Sequence, residues 1–375
     1  MSPTVDESAA EGRGRRGPIK LMVPLLPTAK DLAPLIAKID EGRRYTNFGP
    51  LADTLEHRLA ELSGASHAVA ISSCSLGLQL ALEALALPRG GRVLVPVTTF
   101  PASAASVIRA GLEPVLCDVD AATFQLTPSL AGQAAGLSEI AAVLPVAIFG
   151  QTQDQASWDA FTAGTGLPVL IDAAGAAGHQ TVGRTTSAVF SLHATKLLSA
   201  GEGGFVATES EVLAEQVRRA SNFGFESGVV HVAGTNAKLS EYHAAVGLAA
   251  LDAFPSTMER RRTLYSDYCT ALQQTGLDEA IDIVTRSEWS ATFCVALRRG
   301  SIEDVMRLLA ANGIETRRWY FPPLHQHPAF AACPIAGPLT VAEGLAGRLL
   351  GIPFHLDLAT DDVRFVCQTL AEALQ

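Results

Sequence analysis

The chain has 375 residues, of which 48 % are apolar and 18 % charged, and its formal net charge is −10. This length predicts two or three domains with a large core, which excludes a disordered protein and a small disulfide scaffold. The acidic balance argues against binding to nucleic acid or to an anionic membrane surface. The six cysteines include no C-x-x-C pair, so neither a zinc site nor a redox dithiol is indicated.

The N-terminus carries no clear targeting signal. Residues 1–18 are mostly polar, and we expect them to form a disordered tail. The apolar run from Leu21 to Leu26 is short and contains Pro24, unlike the apolar core of a secretion signal. No run approaches the 18 or so apolar residues of a membrane span. The sequence therefore predicts a cytoplasmic protein that is not bound to a membrane.

From about residue 65, short apolar runs alternate with helical stretches. The predicted strands are Ala68–Ile71, Val93–Val95, Val115–Cys117, Ala142–Val146, Val169–Ile171 and Ala188–Phe190, and the predicted helices between them include Leu76–Leu87 and Ala102–Ala110. Several strands are apolar throughout, which is typical of strands covered on both faces. The order predicts an α/β domain with a mostly parallel sheet and right-handed crossovers.

Past residue 250 the pattern changes. The predicted elements there are a long helix Met258–Gln274, a strand Ala291–Leu297, a helix Ile302–Ala311, an irregular Pro-rich stretch Trp319–Pro328 and a last helix Asp361–Leu374. This order predicts a smaller α+β domain. We therefore expect an N-terminal segment and large domain at 19–250 and a small C-terminal domain at 251–375.

Loops that follow the strands are the places to search for chemistry, because ligands bind at the carboxyl ends of strands in open α/β sheets. The first such loop contains Ser73, Cys74 and Ser75 and opens a helix. Hydroxyl groups there cap a helix, and the same helix N-terminus can bind a phosphate; the segment alone fits both interpretations. Phe100 follows the next strand, where it either packs in the core or stacks on a flat ligand.

Two further loops carry charged residues. Asp172 ends an apolar strand, where it either caps a turn or meets a ligand, since a buried charge needs a partner. Lys196 follows another strand among small and apolar residues. Burial lowers the pKa of a lysine, and a neutral amine can bind an aldehyde, although most single lysines are surface charges.

Taken together, the four loops match the needs of pyridoxal phosphate. A lysine binds its aldehyde, and a carboxylate keeps its pyridine nitrogen protonated so that the ring withdraws electrons. An aromatic ring stacks on it, and a helix N-terminus binds its phosphate. No one of these loops would carry the assignment alone.

The motifs also carry a resemblance to a family. They are Tyr45–Pro50, the four loops above, Ser191–Lys196 with Gly201–Gly204, Gly234–Glu241, Thr316–Tyr320 and Pro322–His325. With these motifs the chain resembles the DegT/StrS-type (DegT/DnrJ/StrS) sugar aminotransferases, which are fold-type I pyridoxal-phosphate enzymes. The resemblance implies an aspartate-aminotransferase-like α/β fold, with a large, mostly parallel sheet domain and a smaller α+β C-terminal domain.

The resemblance also implies roles toward the cofactor. Lys196 would be the lysine that binds the cofactor and carries protons, and Asp172 the partner of the pyridine nitrogen. Phe100 would stack on one face of the ring, with Ala174 on the other. The residues expected to surround the phosphate and the rest of the cofactor are Ser73, Cys74, Ser75, Gly175, Ser191 and Asn236.

Asn236 is expected to reach the phosphate in the partner subunit, which implies a homodimer with shared active sites. The residues expected near the substrate are Asn47, Lys238, Arg317, Arg318 and His325. Arg suits anionic substrate groups because its guanidinium binds them with two parallel hydrogen bonds. A strand end with two exposed Arg side chains would explain Arg317 and Arg318 equally well. His325 and the nearby His327 are not expected to bind a metal.

Several positions depart from the family pattern, of which Ser75 in place of Thr is a mild change because a hydroxyl group remains. Cys74 stands where relatives usually have Gly, and Ala147 where many have His. Gly175 stands where many carry Gln or His, which contacts the phenolic oxygen of the cofactor. These departures leave the substrate and the outcome of the reaction open.

The sequence thus predicts an aminotransferase that takes an amino group from glutamate or glutamine and transfers it to a keto group of a nucleotide-linked deoxysugar. One alternative is an enzyme of the same fold that acts on a cyclitol or another natural-product ketone, or that catalyses elimination. A second alternative is a non-catalytic regulator, against which the presence of both Lys196 and Asp172 argues.

Overall fold

The computed structural model describes residues 17–137 and 139–375. The predicted tail at 1–18 therefore lies outside the described residues, except for Gly17 and Pro18. The strands are β1 His67–Ile71, β2 Arg92–Pro96, β3 Glu113–Cys117, β4 Ala142–Val143, β5 Val169–Asp172, β6 Thr186–Ser191, β7 Gly204–Thr208, β8 Phe225–Glu226, β9 Val229–Val230, β10 Ile281–Ile283, β11 Phe293–Leu297, β12 Ile335–Ala336 and β13 Leu349–Ile352.

Helices fill most of the intervals between the strands. They are α1 Ala29–Gly42, α2 Pro50–Ser63, α3 Cys74–Ala84, α4 Ala102–Arg109, α5 Pro128–Leu137, α6 Gln155–Thr165, α7 Glu211–Ser221, α8 Glu241–Gln274, α9 Ile302–Ala311, α10 Thr340–Ala346 and α11 Thr360–Ala373. Within the described ranges, no helix has the length and apolar content needed to cross a membrane.

The large sheet has the strand order β1-β7-β6-β5-β4-β2-β3-β12. Its strands pair in parallel except for β7, which is antiparallel to both β1 and β6. Consecutive residues of β6 face opposite sides: Phe190 belongs to one core cluster and Val189 to the other. Both faces of the sheet are thus covered, which explains the continuous apolar strands and confirms the predicted α/β class.

The C-terminal part forms a second sheet, in which β10, β11 and β13 pair antiparallel. Its core contains Tyr268 of α8, whose ring lies 4.8 Å from that of Phe293. Ile19 belongs to the same core and pairs with Ile314. The residues around Ile19 therefore pack on the small sheet, although the prediction placed 19–250 with the large domain, whereas Ile39 of α1 packs in the core of the large sheet.

The predicted boundary at 250/251 falls inside α8, which begins at Glu241 rather than at Met258. The helix continues through Pro255, and burial of Phe254 and Leu251 in the core of the large domain accompanies this continuation. Downstream, β12 returns to the large sheet beside β3. The division into two domains remains a prediction, and segments at both of its ends cross it.

Candidate active site

A cavity of about 660 Å³ opens at the carboxyl ends of the parallel strands. The loops after β1, β2, β5 and β6 line it, as the position of ligands in open α/β sheets predicts. The predicted site residues that line it are Ser73, Cys74, Ser75, Phe100, Asp172, Ala174, Gly175, Ser191, Lys196, Arg317 and Arg318. The structure therefore brings both catalytic candidates and nearly all of the cofactor candidates together.

Asp172 is a buried carboxylate at the end of β5, with 4 % of its surface exposed. Its Oδ2 accepts a hydrogen bond from Oγ of Ser103 at 2.7 Å, and its Oδ1 accepts one from the N–H of Ala174 at 3.1 Å. Burial raises the pKa of Asp172, while these two donors and the nearby charge of Lys196 act in the opposite direction. Such a carboxylate is well placed to pair with a protonated ring nitrogen.

Lys196 lies in a turn that is fixed from both sides. Its N–H donates to the carbonyl of His193, and the N–H of Leu192 donates to the carbonyl of Gly203, both at 2.9 Å. The glycines permit this close packing: a Cβ on Gly204 would lie 2.6 Å from the backbone nitrogen of Cys74. The lysine turn, the Gly-rich strand and the loop before α3 thus form one packed unit.

The loop before α3 has the features of an anion site. Ser73 is the N-cap of α3, and its Oγ accepts the N–H of Leu76 at 3.2 Å. The remaining N–H groups of a first helical turn have no partner within the helix and attract an anion. Burial raises the pKa of Cys74 well above its usual value, with Asp172 adding to this effect, so the thiol stays neutral beside the site.

Phe100 lies at the edge of the cavity and leaves 60 % of its surface exposed. A flat ligand in the cavity would cover this exposed ring. Ala174 lines the same cavity and presents only a methyl group. Both observations fit the roles expected on the two faces of a ring.

The two Arg candidates differ in their surroundings. Arg318 pairs with Glu303 at 3.1 Å, donates to the carbonyl of Ala346 and stacks on Phe321. Its guanidinium is thus already bound within the protein. Arg317 is exposed at the rim of the cavity and, in the part of the chain that the structure describes, forms no ion pair. Arg317 is therefore the better candidate for an anionic substrate group.

Four predicted residues do not line the cavity of the protomer. His325 lies in a short 3-10 turn that directs its Nε2 to Glu343 at 3.1 Å, so its neighbour His327 lines the cavity instead. Asn236 accepts a hydrogen bond from the ammonium of Lys238 at 2.8 Å, on a surface outside the cavity. Asn47 lies in the segment before α2, with a left-handed backbone.

The position of Gly175 has room for a side chain. A Cβ there would lie 3.4 Å from the nitrogen of Gly150, an ordinary contact, and the backbone is not left-handed. Gly150 in turn accepts a hydrogen bond at its carbonyl from His179. The absence of a larger residue at 175 is thus a feature of the sequence that the fold does not require.

Ser103, Thr99 and Tyr320 also belong to the site, although they were not among the predicted site residues. Ser103 contacts Asp172 directly, Thr99 contacts Ser103, and Tyr320 lines the cavity with its ring stacked on that of Phe149. Burial raises the pKa of Tyr320, so its hydroxyl remains a donor. Ser103 lies in the first turn of α4, just after Phe100, and no sequence pattern pointed to its contact with Asp172.

Known proteins resemble this chain in sequence and in fold. A family model described as the DegT/DnrJ/EryC1/StrS aminotransferase family matches residues 28–371. A UDP-2-acetamido-2-deoxy-3-oxo-D-glucuronate aminotransferase from Pseudomonas aeruginosa is 29 % identical over 362 residues, covering 93 % of this chain and 99 % of that protein. The erythromycin biosynthesis sensory transduction protein EryC1 from Saccharopolyspora erythraea is 33 % identical over 339 residues, covering 88 % and 92 %.

The crystal structure of DesI in the presence of its TDP-sugar product superimposes with a TM-score of 0.88 at 31 % identity, covering 98 % of this chain and 96 % of that chain. The donor set in the cavity fits pyridoxal phosphate: a buried carboxylate, a lysine and a helix N-terminus line one space. Fold and site thus define a pyridoxal-phosphate-dependent aminotransferase of the aspartate-aminotransferase-like fold. Within that class, the chain belongs to the DegT/DnrJ/EryC1/StrS aminotransferase family.

Proposed function

We propose that the protein transfers an amino group from glutamate or glutamine to the keto group of a nucleotide-linked deoxysugar. The observation that carries the proposal is the convergence of Asp172, Lys196 and the N-terminus of α3 on one cavity. The named activities of the relatives support the substrate class, since one acts on a UDP-linked keto sugar and another has a TDP-sugar product. We expect this reaction to take place in the cytoplasm.

Different residues of the chain have different roles toward the cofactor and the substrate. When bound, pyridoxal phosphate supplies a ring that withdraws electrons from the reacting carbon. Asp172 holds the proton on the ring nitrogen, and Lys196 moves a proton at the reacting carbon with its amine. Ser73, Ser75, Ser191 and the first turn of α3 bind the phosphate, and Phe100 and Ala174 cover the two ring faces. Arg317 binds an anionic group of the substrate at the rim.

We further propose a homodimer with shared active sites. Phe223, Phe225, Val229 and Val230 expose large apolar side chains on and beside the β8–β9 hairpin, as an interface needs. Asn236 lies at the base of this surface, paired with Asn222. From there its amide is proposed to donate to the phosphate in the partner subunit, with Lys238 and Asn47 on the same side.

The alternative of elimination, or of a different ketone, rests on one observation. Gly175 removes the side chain expected at the phenolic oxygen of the cofactor. EryC1 is named a sensory transduction protein, which supports the non-catalytic interpretation, but this chain has both Lys196 and Asp172. Transamination remains the function that these residues support best.

The test begins with absorption spectra of the purified protein with added pyridoxal phosphate. We expect a visible band in the wild type and in Lys38→Ala, an exposed lysine of α1, and no such band in Lys196→Ala. Glutamate or glutamine should then convert the spectrum to that of pyridoxamine phosphate. Incubation with keto sugars linked to UDP and to dTDP, followed by mass spectrometry, identifies the product.

The outcomes separate the candidates. A band that depends on Lys196 but responds to no amino donor would favour elimination. No Lys196-dependent band at all would refute the cofactor assignment and restore the non-catalytic interpretation. A normal response to the donor with amination of a cyclitol ketone, but not of nucleotide sugars, would correct the substrate class alone.

A further inference from the structure

Two buried hydroxyl groups connect Asp172 to the beginning of α4. Oγ of Ser103 lies 2.7 Å from Oδ2 of Asp172 and 2.9 Å from Oγ1 of Thr99. Ser103 is fully buried and Thr99 nearly so. Oγ of Ser103 also lies 3.3 Å from the carbonyl oxygen of Phe100, but the carboxylate is nearer and, when ionised, is the stronger acceptor. The Ser103 proton therefore points to Asp172, and Ser103 in turn accepts the proton of Thr99. The hydroxyls form a chain of donors that ends on the carboxylate.

This chain fixes the orientation of Asp172 from outside its own turn. The N–H of Ala174 holds Oδ1, and Ser103 holds Oδ2. Each carboxylate oxygen accepts more than one hydrogen bond, so the remaining acceptor sites are available to a ligand in the cavity. Among the described residues, Ser103 is the one side chain that donates to this carboxylate.

The same helix turn also reaches the loop of Phe100. The N–H of Ser103 donates to the carbonyl of Phe100 at 3.2 Å. Ser103 thus joins the carboxylate expected at the edge of the cofactor ring to the loop whose side chain is expected on the ring face. A displacement of Ser103 would disturb both contacts.

The electrostatic surroundings of Asp172 show why the Ser103 hydroxyl is important for the charge of this carboxylate. The charged or titratable groups that act on Asp172 or are affected by it are Lys196, Cys74 and Tyr320. Of these, Lys196 alone favours the ionised carboxylate, and it is the group that the cofactor would engage. Burial raises the pKa of Asp172, and the bond from Ser103 is the largest of the opposing effects.

We propose that Ser103 is a positioning residue, which acts through Asp172 by holding its carboxylate ionised and directed toward the pyridine nitrogen of the cofactor. Thr99 supports it by donating to the same hydroxyl. The proposal rests on the proposed function, because it requires pyridoxal phosphate in this cavity. It adds a residue to the site that acts without touching the cofactor.

The test compares Ser103→Ala with Ser63→Ala, a buried serine of α2 whose hydroxyl donates to a backbone carbonyl of its own helix. The first measurement is the dissociation constant of pyridoxal phosphate from the apoprotein. Loss of a hydrogen bond to a charged group predicts about ten- to hundred-fold weaker binding in Ser103→Ala and wild-type binding in Ser63→Ala. Thr99→Val should weaken binding less, and Ser103→Thr should restore it.

The second measurement is the pH at which the visible band of the lysine-bound cofactor titrates. A less ionised Asp172 would hold the proton on the ring nitrogen less strongly, and an unprotonated ring withdraws less electron density. The nitrogen of Lys196 would then keep its proton to higher pH, and the midpoint would rise. In an Asp172→Asn background, Ser103→Ala should no longer shift the midpoint. A merely structural role for Ser103 would lower the melting temperature without this dependence on Asp172.

The proposal is overturned if Ser103→Ala and Thr99→Val both keep the wild-type affinity and midpoint. It is also overturned if Ser103→Ala shifts the midpoint equally with and without Asp172. If Ser103→Ala does not fold, Thr99→Val decides by the same criteria, measured alone and in the Asp172→Asn background. A wild type without any Lys196-dependent band would refute the proposed function. A normal band in the wild type together with unaffected variants would refute the role of Ser103 and leave the proposed function intact.

Discussion

The carboxylate of Glu241 occupies the space that a side chain on Gly49 would need: a Cβ on Gly49 would lie 2.5 Å from its Cδ. The same carboxylate accepts the N–H of Leu51 at 2.9 Å and that of Ala52 at 2.8 Å, and it is 1 % exposed. The first residue of α8 therefore caps the first turn of α2. This contact joins two segments that are far apart in the sequence, and it fixes the segment that carries Asn47.

We predict that Gly49→Ala and Glu241→Ala both destabilise the protein and that their effects are not additive. Glu241→Ala leaves two buried N–H groups without a charged acceptor, which costs about 2–3 kcal/mol. Gly49→Ala pushes the carboxylate from its place, at a cost of about 1–3 kcal/mol. Once the carboxylate is gone, the added methyl group should cost less.

Urea unfolding of the two single variants and of the double variant measures this coupling. Gly164→Ala, at a helical glycine with no atoms near its missing Cβ, is the control and should not lower stability. Strictly additive losses for Gly49→Ala and Glu241→Ala would contradict the contact as described.

The two adjacent arginines should separate into a binding residue and a structural residue. Arg318→Ala breaks the pair with Glu303 and the bond to Ala346, so we expect a loss of about 1–2 kcal/mol in stability. Arg317→Ala removes an exposed guanidinium that lies 5.8 Å from the centre of the Trp319 ring, so we expect only a small fall in melting temperature. The KM for the anionic substrate should rise about tenfold. Steady-state kinetics and thermal unfolding of both variants check this, and equal effects of the two on KM would count against it.

Much of the fold was predictable, because six strands of the eight-stranded large sheet are local apolar runs between turn residues, whereas β7 and β12 were not predicted. Helix α9 begins and ends at the predicted residues, and β1, β2 and β3 extend the predicted strands by one or two residues. The start of α8 was not predictable, because Pro255 is locally a helix-breaking residue, whereas burial of Phe254 in the large core stabilises the helix through it.

The site was predictable where its residues follow strands and was not where packing decides. Asp172 and Lys196 are identified by their positions after apolar strands. Ser103 is not, because a small hydroxyl in a helix has no sequence pattern that points to a carboxylate. The pairing of His325 with Glu343 and of Arg318 with Glu303 depends on how distant segments meet, so the sequence alone assigned both to the substrate.

The proposed dimer makes a prediction about the β8–β9 hairpin. Val230→Asp places a charge on the exposed apolar surface and should convert the dimer to a monomer. It should also reduce the affinity for pyridoxal phosphate, because Asn236 of the partner subunit would no longer reach the phosphate. Val212→Asp, at an exposed valine of α7, is the matched control. Sedimentation and cofactor titration decide, and a Val230→Asp dimer with normal affinity would contradict the proposed interface.

Asp172 should make the apoprotein less stable than it would otherwise be at neutral pH. Burial raises its folded-state pKa above the ordinary value of 3.8, so folding disfavours the ionised form. The unfolded chain binds fewer protons at this group as the pH rises, and the stability of the apoprotein falls between the ordinary pKa and the raised one. Asp172→Asn, which has the same shape without the charge, should therefore be more stable than the wild type at pH 7, and this gain should disappear toward pH 4.

Pyridoxal phosphate should reverse the order, because it binds only the folded wild type strongly and stabilises it by mass action. Thermal unfolding between pH 4 and 8, with and without the cofactor, measures both effects. Asp154→Asn is the control of opposite sign: the hydroxyl of Ser157 lowers the pKa of Asp154, so this variant should lose stability at neutral pH. The expectation is contradicted if the Asp172→Asn apoprotein is less stable than the wild type at pH 7, or if its gain in stability does not change with pH. Either result would show that burial of the ionised carboxylate does not destabilise the apoprotein.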